Sequence, residues 1–125
     1  MLKENLASIL GQTFSDYEVM VGNDFPAESI STKCLGMPDP RIRVVNHPKH
    51  VGELNNMNGL LEMSQGRYFT WLADDDMYAP RFLESGHAAL VQHQFPPYVI
   101  TSYSKGAKFA VQPEFVPGRV ENYCN

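Results

Sequence analysis

Tyr68-Phe69-Thr70-Trp71-Leu72-Ala73-Asp74-Asp75-Asp76-Met77-Tyr78-Ala79-Pro80 joins a β-prone apolar run to three carboxylates, with a proline placed to open a helix. The pattern predicts a strand over residues 68–72, with Trp71 in the core, and a helix beyond Pro80. In α/β proteins ligands bind at the carboxyl ends of strands. Three acidic side chains so close together repel one another at neutral pH unless a cation, a shared proton or solvent compensates them. A divalent metal does so directly. Oxygen-only ligands favour Mg²⁺ or Mn²⁺ over zinc, and Mg²⁺ is typically bound together with phosphates. The other reading is a solvated turn whose Asp76 caps the following helix.

Upstream of this stretch, Leu54, Met57, Leu60, Leu61 and Ser64 mark one face of a helix between Gly52 and Gly66. Leu2, Leu6, Ile9 and Leu10 predict an amphipathic helix over residues 2–11, stopped by Gly11. Residues 17–21 form a β-prone run that ends at Gly22-Asn23-Asp24. Residues 27–35 read as a weaker helix closed by Gly36, and residues 42–45 as a strand leading into a loop over residues 46–52. Downstream, residues 81–94 read as a helix halted by Pro96-Pro97, and residues 98–103 as a further strand. Helix and strand alternate with short connectors, which predicts a three-layer, largely parallel α/β sheet over residues 1–103. Residues 104–125 break the pattern and are expected to form a hairpin or tail.

At 125 residues and 43% hydrophobic content the chain matches one compact domain. A formal net charge of −4, with ten scattered basic residues, leaves no electrostatic footprint for nucleic acid or anionic lipid. No apolar stretch approaches the ~20 residues needed to span a bilayer, so a cytoplasmic setting is expected. Cys34 and Cys124 lie far apart in unrelated contexts, and both read as free thiols.

In a doubly wound sheet the strand-to-helix turns lie along one edge. Asn23 and Asp24, the 46–52 loop and Asp74, Asp75 and Asp76 are therefore expected to converge. An Asn-Asp pair at a strand end can bond the imide edge of a base or ribose hydroxyls; it can equally form an ordinary Asx turn. Gly52 at a helix start would leave amides open to an anion. His47, Lys49 and His50 can meet a diphosphate or lie in a solvated loop. Asn58 either projects toward the same edge or caps locally. His87 and His93 lack metal-ligand spacing and receive no role.

Taken together, residues 51–80 resemble the donor half of family 2, GT-A-fold glycosyltransferases (nucleotide-diphospho-sugar transferases). The counterparts of that family's signals are Gln12-Thr13-Phe14, the run from Glu18 to Val21, Asn23-Asp24, Gly52, Asn58, Gly66, the aspartate triplet and Pro80. The resemblance spans about residues 2–95. It implies that Asp24, with Asn23 beside it, recognises the nucleobase, that Asp74 faces the ribose, and that Gly52 and Asn58 belong to the nucleotide-sugar site. It further implies that Asp75, with Asp76, binds Mn²⁺ or Mg²⁺ across the diphosphate of a UDP-, GDP- or dTDP-sugar. The implied reaction is inverting transfer to a hydroxyl of a sugar or lipid-linked acceptor. No residue matches the family's catalytic base. Asp24-Phe25-Pro26 replaces the usual Asp-Gly-Ser, and Ala73 stands where many relatives carry the first aspartate.

The resemblance also implies a chain that lacks the family's first strand and the acceptor region, a fragment expected to be inactive alone. A tail strand over residues 108–112, or a second copy of the chain, is expected to complete the sheet. The alternatives are a non-catalytic α/β nucleotide-binding or interaction module, and a phosphatase-like hydrolase, for which no downstream lysine and acidic partner can be placed.

Overall fold

The structure is a computed structural model that describes residues 1–101. It divides into two compact units, Ser15–Trp71 and a second built from Met1–Phe14 with the described residues from Leu72 onward.

In the Ser15–Trp71 unit, strand β1 (Val19–Asn23) pairs in parallel with β2 (Ile42–Asn46), in a register that sets Val19 against Ile42 and Asn23 against Asn46. Helix α2 (Thr32–Leu35) lies in the crossover, and α3 (Glu53–Met63) follows β2. Val19, Leu35, Ile42 and Leu60 are the buried apolar residues of this unit. Of the apolar face expected on α3, Leu60 is buried but Leu54 remains 70% exposed, so the inward line of the helix runs through Asn56 and Leu60.

Arg41 precedes β2 and binds Asp39 through both carboxylate oxygens while lying 4.6 Å over the Tyr17 ring. The hydrogen bonds from Arg41 hold the Asp39 carboxyl at about 2, well below the usual carboxylate value. Glu18, just before β1, accepts from the backbone N–H groups of Gln65 and Gly66 and so fixes the exit of α3.

Helix α2 is shorter than the sequence pattern over residues 27–35 predicts. The backbone of residues 28–30 is already engaged, because Asn23 donates to the Glu28 carbonyl and Asn46 bonds both the N–H and the carbonyl of Ile30. The helix therefore starts only at Ser31, whose side chain accepts from Cys34 N–H in a capping box.

In the second unit, α1 (Leu2–Leu10) carries Leu6, 1% exposed, and α4 (Phe82–Gln92) carries the buried Ala89. Tyr78 stacks on Phe82 at 4.0 Å, and Phe14 meets His87 at 4.7 Å. Helix α4 ends where Gln94 and Phe95 turn left-handed, just before Pro96.

Two expected strands are absent among the described residues. Residues 68–72 and 98–101 have no regular structure, and the sheet has two strands rather than the large layer anticipated. A β-prone sequence adopts a strand only on a pleated, half-buried surface. Phe69 is 58% exposed and Trp71 40% exposed, with their rings edge to face at 5.6 Å, so Trp71 is not the core residue expected from the sequence. The parallel α/β character of the β1–β2 region is as anticipated. Residues 102 and 103, the 104–125 hairpin or tail and the 108–112 strand lie outside the described residues.

Candidate functional site

Two clusters contain the residues singled out by the sequence, one in each unit. In the Ser15–Trp71 unit the parallel register brings the ends of β1 and β2 side by side, so Asp24 meets the loop that follows β2. Asp24 Oδ1 accepts from Val51 N–H at 2.7 Å and Oδ2 from Gly52 N–H at 2.9 Å. The His50 ring nitrogen Nδ1 lies 2.9 Å from Oδ2. These amide bonds, first from Val51 and then from Gly52, lower the Asp24 pKa against the opposing effect of burial, and the His50 and His47 charges lower it further.

Gly52 is the N-cap of α3 and sits at φ +82°, a conformation that favours glycine. The sequence reading left its N–H open to an external anion; in the structure that N–H is taken, because Asp24 of the same chain already fills the helix N-terminus. A carboxylate offers about four acceptor sites. With Val51, Gly52 and His50 in place, Asp24 retains about one.

Asn23 is more fully engaged. Its amide donates to the Glu28 carbonyl at 2.6 Å and to Asn46 Oδ1 at 2.9 Å, while its own oxygen accepts from Phe25 N–H in an Asx turn. It shapes the 24–30 loop from within. Asn58 lies exposed on α3. Two residues before it, about 200° around the helix, Asn56 turns inward, donating to the Gly22 carbonyl at 3.2 Å and meeting His47 Nε2 at 2.9 Å. Asn56 and Asn46 thus contact the strand ends where the sequence pointed to Asn58. Lys49 is exposed in the same loop.

Asp39 and Asp24 give the fold a pH dependence of definite sign. Each has a folded-state pKa below the ~3.9 of an unfolded aspartate, so the stability they contribute is present above that value and lost as pH falls through the folded value. The thermal midpoint is expected to be flat above pH ~5 and to fall between pH ~4 and ~2. Circular-dichroism melts across that range test this, with Asp39→Asn expected to flatten part of the descent. An unchanged midpoint down to pH ~2 in the native chain would contradict it.

In the second unit, Asp74 and Asp75 occupy a turn closed by Asp76 N–H donating to the Ala73 carbonyl at 3.1 Å. All three aspartates are exposed. The turn is not the cap of α4 that the solvated-turn reading assigned to Asp76, since the N-cap there is Arg81 with no side-chain cap bond. Instead Gln12 Oε1 accepts from Leu83 N–H at 2.9 Å and serves the start of that helix from α1.

Helix α1 in fact supplies a polar ladder along the whole acidic segment. Asn5 donates to the carbonyls of Ala73 and Asp76, Ser8 accepts from Tyr78 N–H, and Gln12 donates to the Ala79 carbonyl. Thr13 N–H donates to the Pro80 carbonyl and its hydroxyl to Glu84. Sequence reading missed Asn5 and Ser8. The available signal was a polar residue, Asn5, inside the apolar stripe of Leu2, Leu6 and Ile9.

Among the described residues no three His, Cys, Asp or Glu side chains form a ready-made metal cage. Mg²⁺ commonly uses only one or two carboxylates, with waters and substrate phosphates completing the shell. The exposed, all-oxygen donors Asp75 and Asp76 fit that chemistry. No helix of the described residues is long and apolar enough to cross a membrane.

The sequence model of glycosyl transferase family 2 matches residues 1–114. A Rickettsia bellii protein described as an uncharacterized glycosyltransferase is 32% identical over 84 residues, 66% of this chain and 12% of the relative. The Escherichia coli UDP-Glc:alpha-D-GlcNAc-diphosphoundecaprenol beta-1,3-glucosyltransferase WfgD is 26% identical over 83 residues, 66% of this chain and 33% of that protein. WcaA of Escherichia coli K12, a putative colanic acid biosynthesis glycosyl transferase, is 27% identical over 95 residues, 72% of this chain and 34% of that protein. The chain therefore spans a third or less of the length of the first two relatives. No solved structure matches it. The family match takes in α1, both strands, α3, the acidic turn and α4, and the chain belongs to glycosyl transferase family 2.

Proposed function

We propose that this chain is the donor-binding portion of a metal-dependent, inverting glycosyltransferase of GT-A fold, which moves a sugar from a nucleotide-sugar to an acceptor hydroxyl. The observation that carries this reading is the acidic turn at residues 73–76, held from beneath by α1 while its carboxylates stay exposed, in a chain of this family. Asp75 and Asp76 would hold Mn²⁺ or Mg²⁺, and Asp74 would face the ribose. When bound, the metal offsets charge on the departing diphosphate.

The Asp24 acceptor site left open suits the imide N–H of a base, while Asn23 and Gly52 shape the loops around it rather than contact ligand. The name of WfgD, a UDP-glucose-dependent enzyme acting on a diphosphoundecaprenol-linked sugar, supports a UDP-linked donor and a lipid-linked acceptor. No residue of the chain is assigned as the base that deprotonates the acceptor, so donor binding rather than turnover is the activity expected of this chain alone.

Isothermal calorimetry with UDP, GDP and dTDP, each with and without Mn²⁺, tests the proposal. The expected result is binding of one nucleotide that requires the metal. A folded chain that binds none of them with Mn²⁺ present would overturn it and leave a non-catalytic module in its place.

A further inference from the structure

We propose that Asn5 is a positioning residue for the metal-binding turn, its side-chain amide fixing the backbone that aims the carboxylates of Asp75 and Asp76. This inference rests on the donor-site reading above. Asn5 is 5% exposed and is the buried polar residue of α1. A polar group in that position costs stability unless its bonds are made, and an apolar side chain would serve packing better. Its Nδ2 donates to the Ala73 carbonyl at 2.7 Å and to the Asp76 carbonyl at 2.9 Å. One amide therefore ties the first and fourth carbonyls of a turn that is itself closed by Asp76 N–H on Ala73.

Among the described residues no hydrogen bond or ion pair engages the carboxylates of Asp74, Asp75 or Asp76. Their placement is consequently inherited from the backbone beneath them, which fixes each Cα–Cβ bond, and Asn5 ties that backbone at both ends of the turn. Ser8 supports the arrangement, its hydroxyl donating to the Asn5 carbonyl and accepting from Tyr78 N–H. A cation held by only one or two carboxylates depends strongly on where those carboxylates point, and groups that orient ligands without touching the metal commonly alter affinity by about 10–100-fold.

The test is a Mn²⁺ titration of the full chain followed by electron paramagnetic resonance, for the native protein, Asn5→Leu, Asp75→Ala and Leu6→Val. Asn5→Leu keeps the bulk and removes the donor. Leu6→Val loosens the same helix without touching the turn's hydrogen bonds. Asn5→Leu is expected to raise the Mn²⁺ dissociation constant about tenfold, and Leu6→Val to leave it within about twofold even where the two melt alike. Should Asn5→Leu fail to fold, Asn5→Asp, isosteric but without the amide donor, reads the same effect.

Mn²⁺ binding that is lost in Asp75→Ala but unchanged in the Asn5 variants would overturn this inference and leave the donor-site reading standing. Equal weakening by Leu6→Val would overturn it too, showing general loosening rather than positioning. No Mn²⁺ binding by the native chain, either alone or with UDP, GDP or dTDP present, would overturn both.

Discussion

Gly22→Ala is expected to destabilise the Ser15–Trp71 unit by about 2–4 kcal/mol, a large share of the stability of a small unit. A Cβ at this position would stand 2.1 Å from Asn56 Oδ1 and 2.8 Å from both its Cγ and Nδ2. Asn56 cannot swing aside without cost, because its amide donates to the Gly22 carbonyl and its oxygen meets His47 Nε2. Overpacking of this kind costs about 1–3 kcal/mol, and losing hydrogen-bond partners adds about 0.5–1.5 kcal/mol each. Urea denaturation of Gly22→Ala, Asn56→Gly and the double variant checks the account. The double variant is expected to be more stable than the sum of the single effects implies, since removing the Asn56 side chain removes the clash. A Gly22→Ala chain as stable as the native one would show that α3 does not approach β1 this closely.

Asp75→Ala is expected to weaken Mn²⁺-dependent nucleotide binding by about a hundredfold or more, exceeding the usual cost of disturbing an outer-shell group. On the proposed reading, removing one of the two carboxylates that would hold the metal leaves a hard cation with too few oxygens. The variant is a clean probe because Asp75 is exposed and, among the described residues, its carboxylate engages no hydrogen bond or ion pair. Its melting temperature is therefore expected to match that of the native chain, unlike Gly22→Ala. Calorimetry at fixed Mn²⁺ gives the comparison. Native-like affinity in Asp75→Ala would remove the aspartate from the metal site and, with it, the assigned chemistry of the turn.

Much of the architecture was readable from local pattern. The apolar spacing in α1, the β-prone runs of β1 and β2, the prolines on either side of α4 and Gly36 closing α2 all act within a few residues, and the structure places these elements as expected. Residues 68–72 were not readable in the same way. Their aromatic and β-branched composition is compatible with a strand, but strand formation depends on a neighbouring ladder that the segment does not specify.

The site residues divide on the same physical ground. The position of Asp24 beside Gly52 follows from parallel strands ending together, which the pattern implied. That Asp24 itself occupies the α3 N-terminus, and that Asn56 rather than Asn58 turns inward, depends on helix rotation within a packed unit. Asn5 was hidden because its partners lie 68 and 71 residues away, beyond any local period.

The ladder of Asn5, Ser8 and Gln12 means that the acidic segment is not a portable cassette. Transplanted alone into another scaffold, residues 68–80 would carry their carboxylates but leave behind the side chains that dictate their shape. An engineer who grafts or redesigns this turn must therefore treat the amino-terminal helix as its template, and on the proposed reading natural substitutions at Asn5 or Ser8 would alter metal affinity without changing a carboxylate.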